Sequence, residues 1–130
     1  MTHMLDSYSV NKVTSENLFL IVQFLGDAFK FNSFTRLKIY DYLIASNHNL
    51  GFYGYSLYFK NCLVGAILTP RQGLLLDKNL EVINLMALYV IPSQRKHGAI
   101  YFFRHVITLL SSNYILTDYK IGRASCRERV

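Results

Sequence analysis

Between Glu81 and Leu110 the chain passes from a nearly unbroken apolar run, through a proline and a short basic turn, into a helical repeat. Val82, Ile83, Leu85, Met86, Leu88, Tyr89, Val90 and Ile91 follow one another with little polar interruption, the pattern of a strand buried on both faces. Pro92 ends it. Ser93, Gln94, Arg95, Lys96, His97 and Gly98 form a polar turn. Ile100, Phe103, Ile107 and Leu110 then recur on one stripe, with Phe102, Val106 and Leu109 beside it, which predicts a helix over 98–110. A basic, glycine-containing turn that feeds a helix suits an anion. The first N–H groups of the helix lack internal partners, and its dipole adds about half a positive charge there. The plainer alternative is a solvated turn with a glycine at the helix start.

The segment Val90-Ile91-Pro92-Ser93-Gln94-Arg95-Lys96-His97-Gly98 resembles the V-x-P-x-x-R-x-x-G stretch of the GNAT superfamily of acyl-CoA-dependent N-acetyltransferases. In the fuller pattern, Q/R-x-x-G-x-G/A, Arg95 and Gly98 match, and Ile100 stands where Gly or Ala is usual. Asn84-Leu85 with Tyr89-Val90, and Leu116-Thr117-Asp118 further on, are similar to the N-L-x-x-W-Y-V and T-D-L strands of one GNAT subgroup.

The resemblance implies an α/β (α+β) fold, a mixed central sheet flanked by helices, whose fourth and fifth strands splay apart. It implies acetyl-CoA as acyl donor, with the pyrophosphate on Arg95, Lys96, His97, Gly98, Ala99 and Ile100. The pantetheine arm would run along the backbone of Leu88, Tyr89 and Val90, placing the thioester near Ala87 to Tyr89. An unidentified amine attacks directly. Glu81 and Asp118 are the carboxylates nearest the inferred cleft and the candidate bases, although neither belongs to a family-wide motif and each also reads as a surface charge. The usual acid, a tyrosine, falls beyond the fifth strand. The other reading is a catalytically inactive GNAT-like module that binds coenzyme A or a protein partner, to which Ile100 points.

At the other end, Ile121 to Val130 is what ATC GGA AGA GCG TCG TGT AGG GAA AGA GTG encodes, a string that resembles one frame of a common sequencing adapter. The natural sequence is therefore expected to end near Tyr119. Residues 1–120 are expected to form a partial GNAT-like domain lacking its last elements, and 121–130 a non-native tail to be set aside like a cloning scar. A basic tail that touches nucleic acid is the alternative.

Without that tail, 14 basic and 8 acidic residues become 11 and 7, and the net charge of +6 becomes +4. The longest cationic run is then Arg95-Lys96-His97, too short for a nucleic-acid stripe. Cys62 is the one cysteine left, in an apolar context that reads as a buried small side chain, and a reducing, cytoplasmic setting is expected. His97 has no second ligand at useful spacing, so no metal is expected. Gln23, Gly26 and Asp27 interrupt the most apolar N-terminal stretch, so no membrane span is expected, and Asp6, Ser7 and Tyr8 stand where a secretory signal would be apolar.

With 52% hydrophobic and 15% aromatic residues, the chain can fill one core. The expected order is strand, two helices, three strands, helix, strand. Tyr8 to Val13 begins it, with Thr14 or Ser15 as helix cap, and Leu18, Ile21, Val22, Leu25 and Phe29 make the first helical stripe. Asn32-Ser33 recaps a second helix bearing Leu37, Tyr40, Leu43 and Ile44. Phe52 to Phe59 and Cys62 to Leu68 flank a Lys60-Asn61 hairpin turn, Thr69 to Gly73 closes that strand, and Tyr114 to Thr117 is the fifth. Tyr53, Tyr55 and Tyr58 are candidates for an aromatic acceptor wall. A homodimer is among the expected partners.

Overall fold

The computed structural model describes residues 7–75, 80–111 and 113–117. In chain order the elements are β1 (Tyr8–Val13), α1 (Leu18–Phe29), α2 (Ser33–Ser46), β2 (Gly54–Phe59), β3 (Cys62–Leu68), β4 (Arg71–Leu75), β5 (Leu80–Asn84), β6 (Met86–Val90), α3 (Ile100–Ser111) and β7 (Tyr114–Thr117). A 3-10 turn, Pro92–Gln94, and a π turn, Arg95–Ala99, lead into α3. Asp118 and residues 121–130 lie outside the described residues.

The α1 stripe forms as local periodicity dictates. Leu18, Ile21, Val22 and Leu25 of α1 are buried. Lys30 closes the helix in the left-handed region at φ 60°, and Asn32 opens α2 by accepting the Thr35 N–H at 2.8 Å. The cap of α1 is Asn17, not Thr14 or Ser15. The Asn17 side chain is turned back to accept the Thr14 N–H at 2.8 Å and leaves the helix without a side-chain cap. Of the four apolar positions in α2, only Leu43 is buried, and Leu37 is 56% exposed.

The sheet has two faces and two cores. Val13, Leu18, Ile21, Leu25, Leu43, Ala66 and Leu68 pack on the α1/α2 side. Leu57, Val64, Ile83, Leu85, Val90, Phe102, Val106 and Leu110 pack on the α3 side. Within α3 the buried stripe is Phe102, Val106 and Leu110, whereas Ile100 and Leu109 are 60% and 45% exposed. Lys60 and Asn61 both take positive φ, 50° and 68°, as a two-residue hairpin turn between β2 and β3 requires. Cys62, next in the chain, is exposed and not buried, because the turn carries the first position of β3 out of the core.

Two strands depart from expectation. The chain leaves the four-stranded sheet, β1-β2-β3-β6, after Leu68 as expected, but Arg71–Leu75 is a strand of a second, three-stranded sheet, β4-β5-β7, and not a turn. Pro70 supplies no donor, but its carbonyl accepts the Asn84 N–H at 2.9 Å, and β4 resumes antiparallel to β5. Asn47, fully buried, holds this corner: Nδ2 donates to the Phe52 and Thr69 carbonyls at 3.1 and 2.7 Å, and Oδ1 accepts the Arg71 N–H at 2.9 Å. The expected continuous strand over 82–91 is two strands, β5 and β6, parted at Leu85. Ala87 sits at φ 60° and the register against β3 slips between Ala66 and Leu68, a bulge. Among the described residues no helix is long and apolar enough to cross a membrane.

Candidate functional site

The break at Leu85 opens the sheet. β5 pairs in parallel with β7, from Glu81 opposite Tyr114 to Asn84 opposite Thr117. β6 pairs with β3 alone, so among the described residues its other edge is free. Register decides which groups face that edge. The Ile91 N–H donates to Val64 in β3 at 2.9 Å, so the Tyr89 backbone also faces β3, while Leu88 and Val90 turn theirs outward. The Tyr89 ring lies on the α1 side, 5.9 Å from the Phe24 ring and 5.8 Å from Phe29. That side of the opening is aromatic, and α1 supplies it. Of the expected wall, Tyr53 and Tyr55 are 6% and 3% exposed and belong to the core, and Tyr58 is half-buried.

The basic turn closes the far end of this edge. Pro92 begins the 3-10 turn, the Gln94 N–H donates to the Ile91 carbonyl at 2.9 Å, and the Arg95 N–H to that of Pro92. Helix α3 starts at Ile100 and not at Gly98, because Arg95–Ala99 winds as a π turn, the wider winding that recurs at functional sites. No acidic residue stands in the first turn of either segment. Arg95 Nε donates to the Val90 carbonyl at 2.8 Å, and its guanidinium lies 5.3 Å from the Tyr89 ring centre. Lys96, His97 and Ile100 are exposed and Ala99 is half-buried. A groove of about 560 Å³ continues along the outer face of α3 past Lys96, His97, Tyr101, Arg104 and His105.

Gly98 is buried for a reason its sequence context does not reveal. A Cβ there would stand 3.1 Å from Tyr8 Oη and 3.2 Å from Cε1. Tyr8, from β1, packs its ring 4.8 Å from Phe59 and 5.3 Å from Tyr101, and its hydroxyl donates to Gln94 Oε1 at 2.5 Å. Neither Tyr8 nor Gln94 stands out in the sequence. They are separated by 86 positions, and nothing local to either indicates the contact.

The carboxylates are less closely gathered. Glu81 lies in β5, six residues before Ala87, at most about 20 Å of extended strand. Its Oε1 accepts from Arg71 Nε at 2.6 Å. Among the described residues no three His, Cys, Asp or Glu side chains converge as a metal site would need.

The parted sheet, the bulged strand and the helix after the basic turn define the fold as that of the GNAT acetyltransferases. Similar solved structures include Arabidopsis thaliana Naa50 in complex with the bisubstrate analogue CoA-Ac-MVNAL, with a TM-score of 0.61 at 22% identity over 85% of this chain and 68% of that one. A predicted acetyltransferase of Clostridium acetobutylicum with acetyl-CoA aligns with a TM-score of 0.63 at 12% identity, over 94% of this chain and 88% of that one. An aminoglycoside acetyltransferase from an uncultured soil metagenomic sample aligns at 0.58 and 17% identity, over 86% and 78%. No protein-family model matches the sequence, and no curated protein does.

Proposed function

We propose that this chain is an N-acetyltransferase, or the larger part of one, that moves an acetyl group from acetyl-CoA to an amine by direct attack. The observation that carries the reading is the free edge of β6, whose outward Leu88 and Val90 groups run to the turn at Arg95. An amide-bearing arm pairs with such an edge as an added strand does. In this reading the pyrophosphate rests on the N–H groups of residues 96–98, with the Arg95, Lys96 and His97 side chains beside it and Ala99 and Ile100 continuing the helix beneath it. The pantetheine arm lies along Leu88 to Val90. The acetyl carbonyl stands at the bulge, where the outward Leu88 N–H serves as the oxyanion donor.

The amine attacks the thioester carbon, the oxyanion collapses, the carbon–sulfur bond breaks and the thiolate leaves. The attacking ammonium must first lose a proton. In this proposal that role falls to Glu81, directly or through a water; Asp118 is the other proposed base. The acceptor is an amine of unassigned class, because the names of the similar structures carry acceptors as different as an aminoglycoside and the MVNAL analogue. A cytoplasmic location belongs to the same proposal.

The second reading, a module that binds the coenzyme without transfer, draws on the Arg71–Glu81 pair, which occupies the candidate base. Titration calorimetry with acetyl-CoA, followed by thiol release in the presence of a panel of amines, separates the two. Binding with amine-dependent thiol release supports transfer, binding alone supports the module, and no binding overturns both.

A further inference from the structure

The contact between Tyr8 and Gln94 reaches beyond packing. Tyr8 is 6% exposed, and burial pushes its hydroxyl pKa above the ordinary value, so it remains a neutral donor at physiological pH. With Gln94 Oε1 as acceptor, that O–H is satisfied. The flipped carboxamide would place an NH2 against the hydroxyl and take this acceptor from the phenolic proton, so the bond favours the oxygen facing Tyr8. The NH2 on the same carbon makes no hydrogen bond to the described residues. The Tyr8 ring meanwhile lies on the Cα face of Gly98, which keeps the π turn against β1.

We propose that Tyr8 is a positioning residue of the anion turn, fixing Gln94 so that its NH2 joins the N–H groups of residues 96–98 in holding a phosphate. The inference rests on the coenzyme reading of that turn. It adds Gln94 to the groups that touch the ligand, and it makes β1 part of the site although β1 lies at the far edge of the four-stranded sheet from β6. A phosphate oxygen accepts from the carboxamide NH2 as a charge-assisted bond, and the neutral phenol keeps that donor aimed.

Tyr8→Phe removes the hydroxyl and keeps the ring, and two readouts separate the positioning role from the coenzyme reading. In the unliganded protein, amide hydrogen exchange at Gln94 and Arg95 should rise several-fold while the β2–β3 ladder keeps its rates. KM for acetyl-CoA should rise about fivefold, the equivalent of one hydrogen bond, with kcat within a factor of two. Gln94→Ala should give the same loss of affinity, and the double variant should be no worse than either single one. Unchanged exchange at Gln94 and Arg95, faster exchange throughout the protein, or additive losses in the double variant would each overturn the proposal. A wild-type chain that binds no acetyl-CoA overturns the proposed function and the phosphate role of Gln94 together, and the exchange rates then decide the positioning role alone.

Discussion

Arg95 Nε donates to the Val90 carbonyl at 2.8 Å, so the first cation of the basic turn also occupies the last outward acceptor on the free edge of β6. The side chain thus caps the edge, and in the proposed function its remaining donors meet the coenzyme. A cation–π contact with the Tyr89 ring helps hold the guanidinium in place. Arg95→Ala is expected to weaken acetyl-CoA binding by about 1–3 kcal/mol, the range of a charge-assisted contact. Titration calorimetry that finds the affinity unchanged would remove Arg95 from the site.

Gly98 leaves room for Tyr8 inside and, in the proposed function, for a phosphate outside. Gly98→Ala presses a methyl to within 3.1 Å of the Tyr8 hydroxyl, and Phe59 and Tyr101 leave the ring little freedom to withdraw. Gly98→Val should destabilise the fold by about 1–3 kcal/mol through overpacking and weaken acetyl-CoA binding as well. Thermal melts of both variants check the first effect. Calorimetry well below the melting temperature isolates the second, and normal affinity in a folded Gly98→Val protein would contradict close backbone approach.

Glu81→Gln tests the proposed base with little disturbance. The Arg71–Glu81 pair is partly exposed, 36% and 29%, so losing it should cost under about 1 kcal/mol. Turnover should fall about 100-fold. Turnover unchanged in the variant would leave Glu81 a surface charge.

Deleting Ile121 to Val130 should leave the melting temperature and acetyl-CoA affinity unchanged. The segment offers no apolar stripe or alternation with which to cover a strand. A marked fall in melting temperature on deletion would show that these residues belong to the fold.

What the sequence determined by itself is the succession of elements around the site. Periodicity and punctuation are local properties, so Pro92 as the end of a strand, the α1 stripe, the Lys60-Asn61 turn and the strand–turn–helix over 82–110 are legible in single stretches of chain. The tertiary structure alone decided what those elements present to one another. The break at Leu85 and the bulge at Ala87 follow from β5 and β6 pairing with different partners, and register against β3 turns Leu88 and Val90, not Tyr89, toward the open edge. Arg71 reaches Glu81 because β4 and β5 lie side by side, and Tyr8 meets Gln94 and Gly98 because β1 and the turn share the α3 side of the sheet. Such contacts are set by long-range pairing, which leaves no trace in the residues on either side of Tyr8 or Gln94.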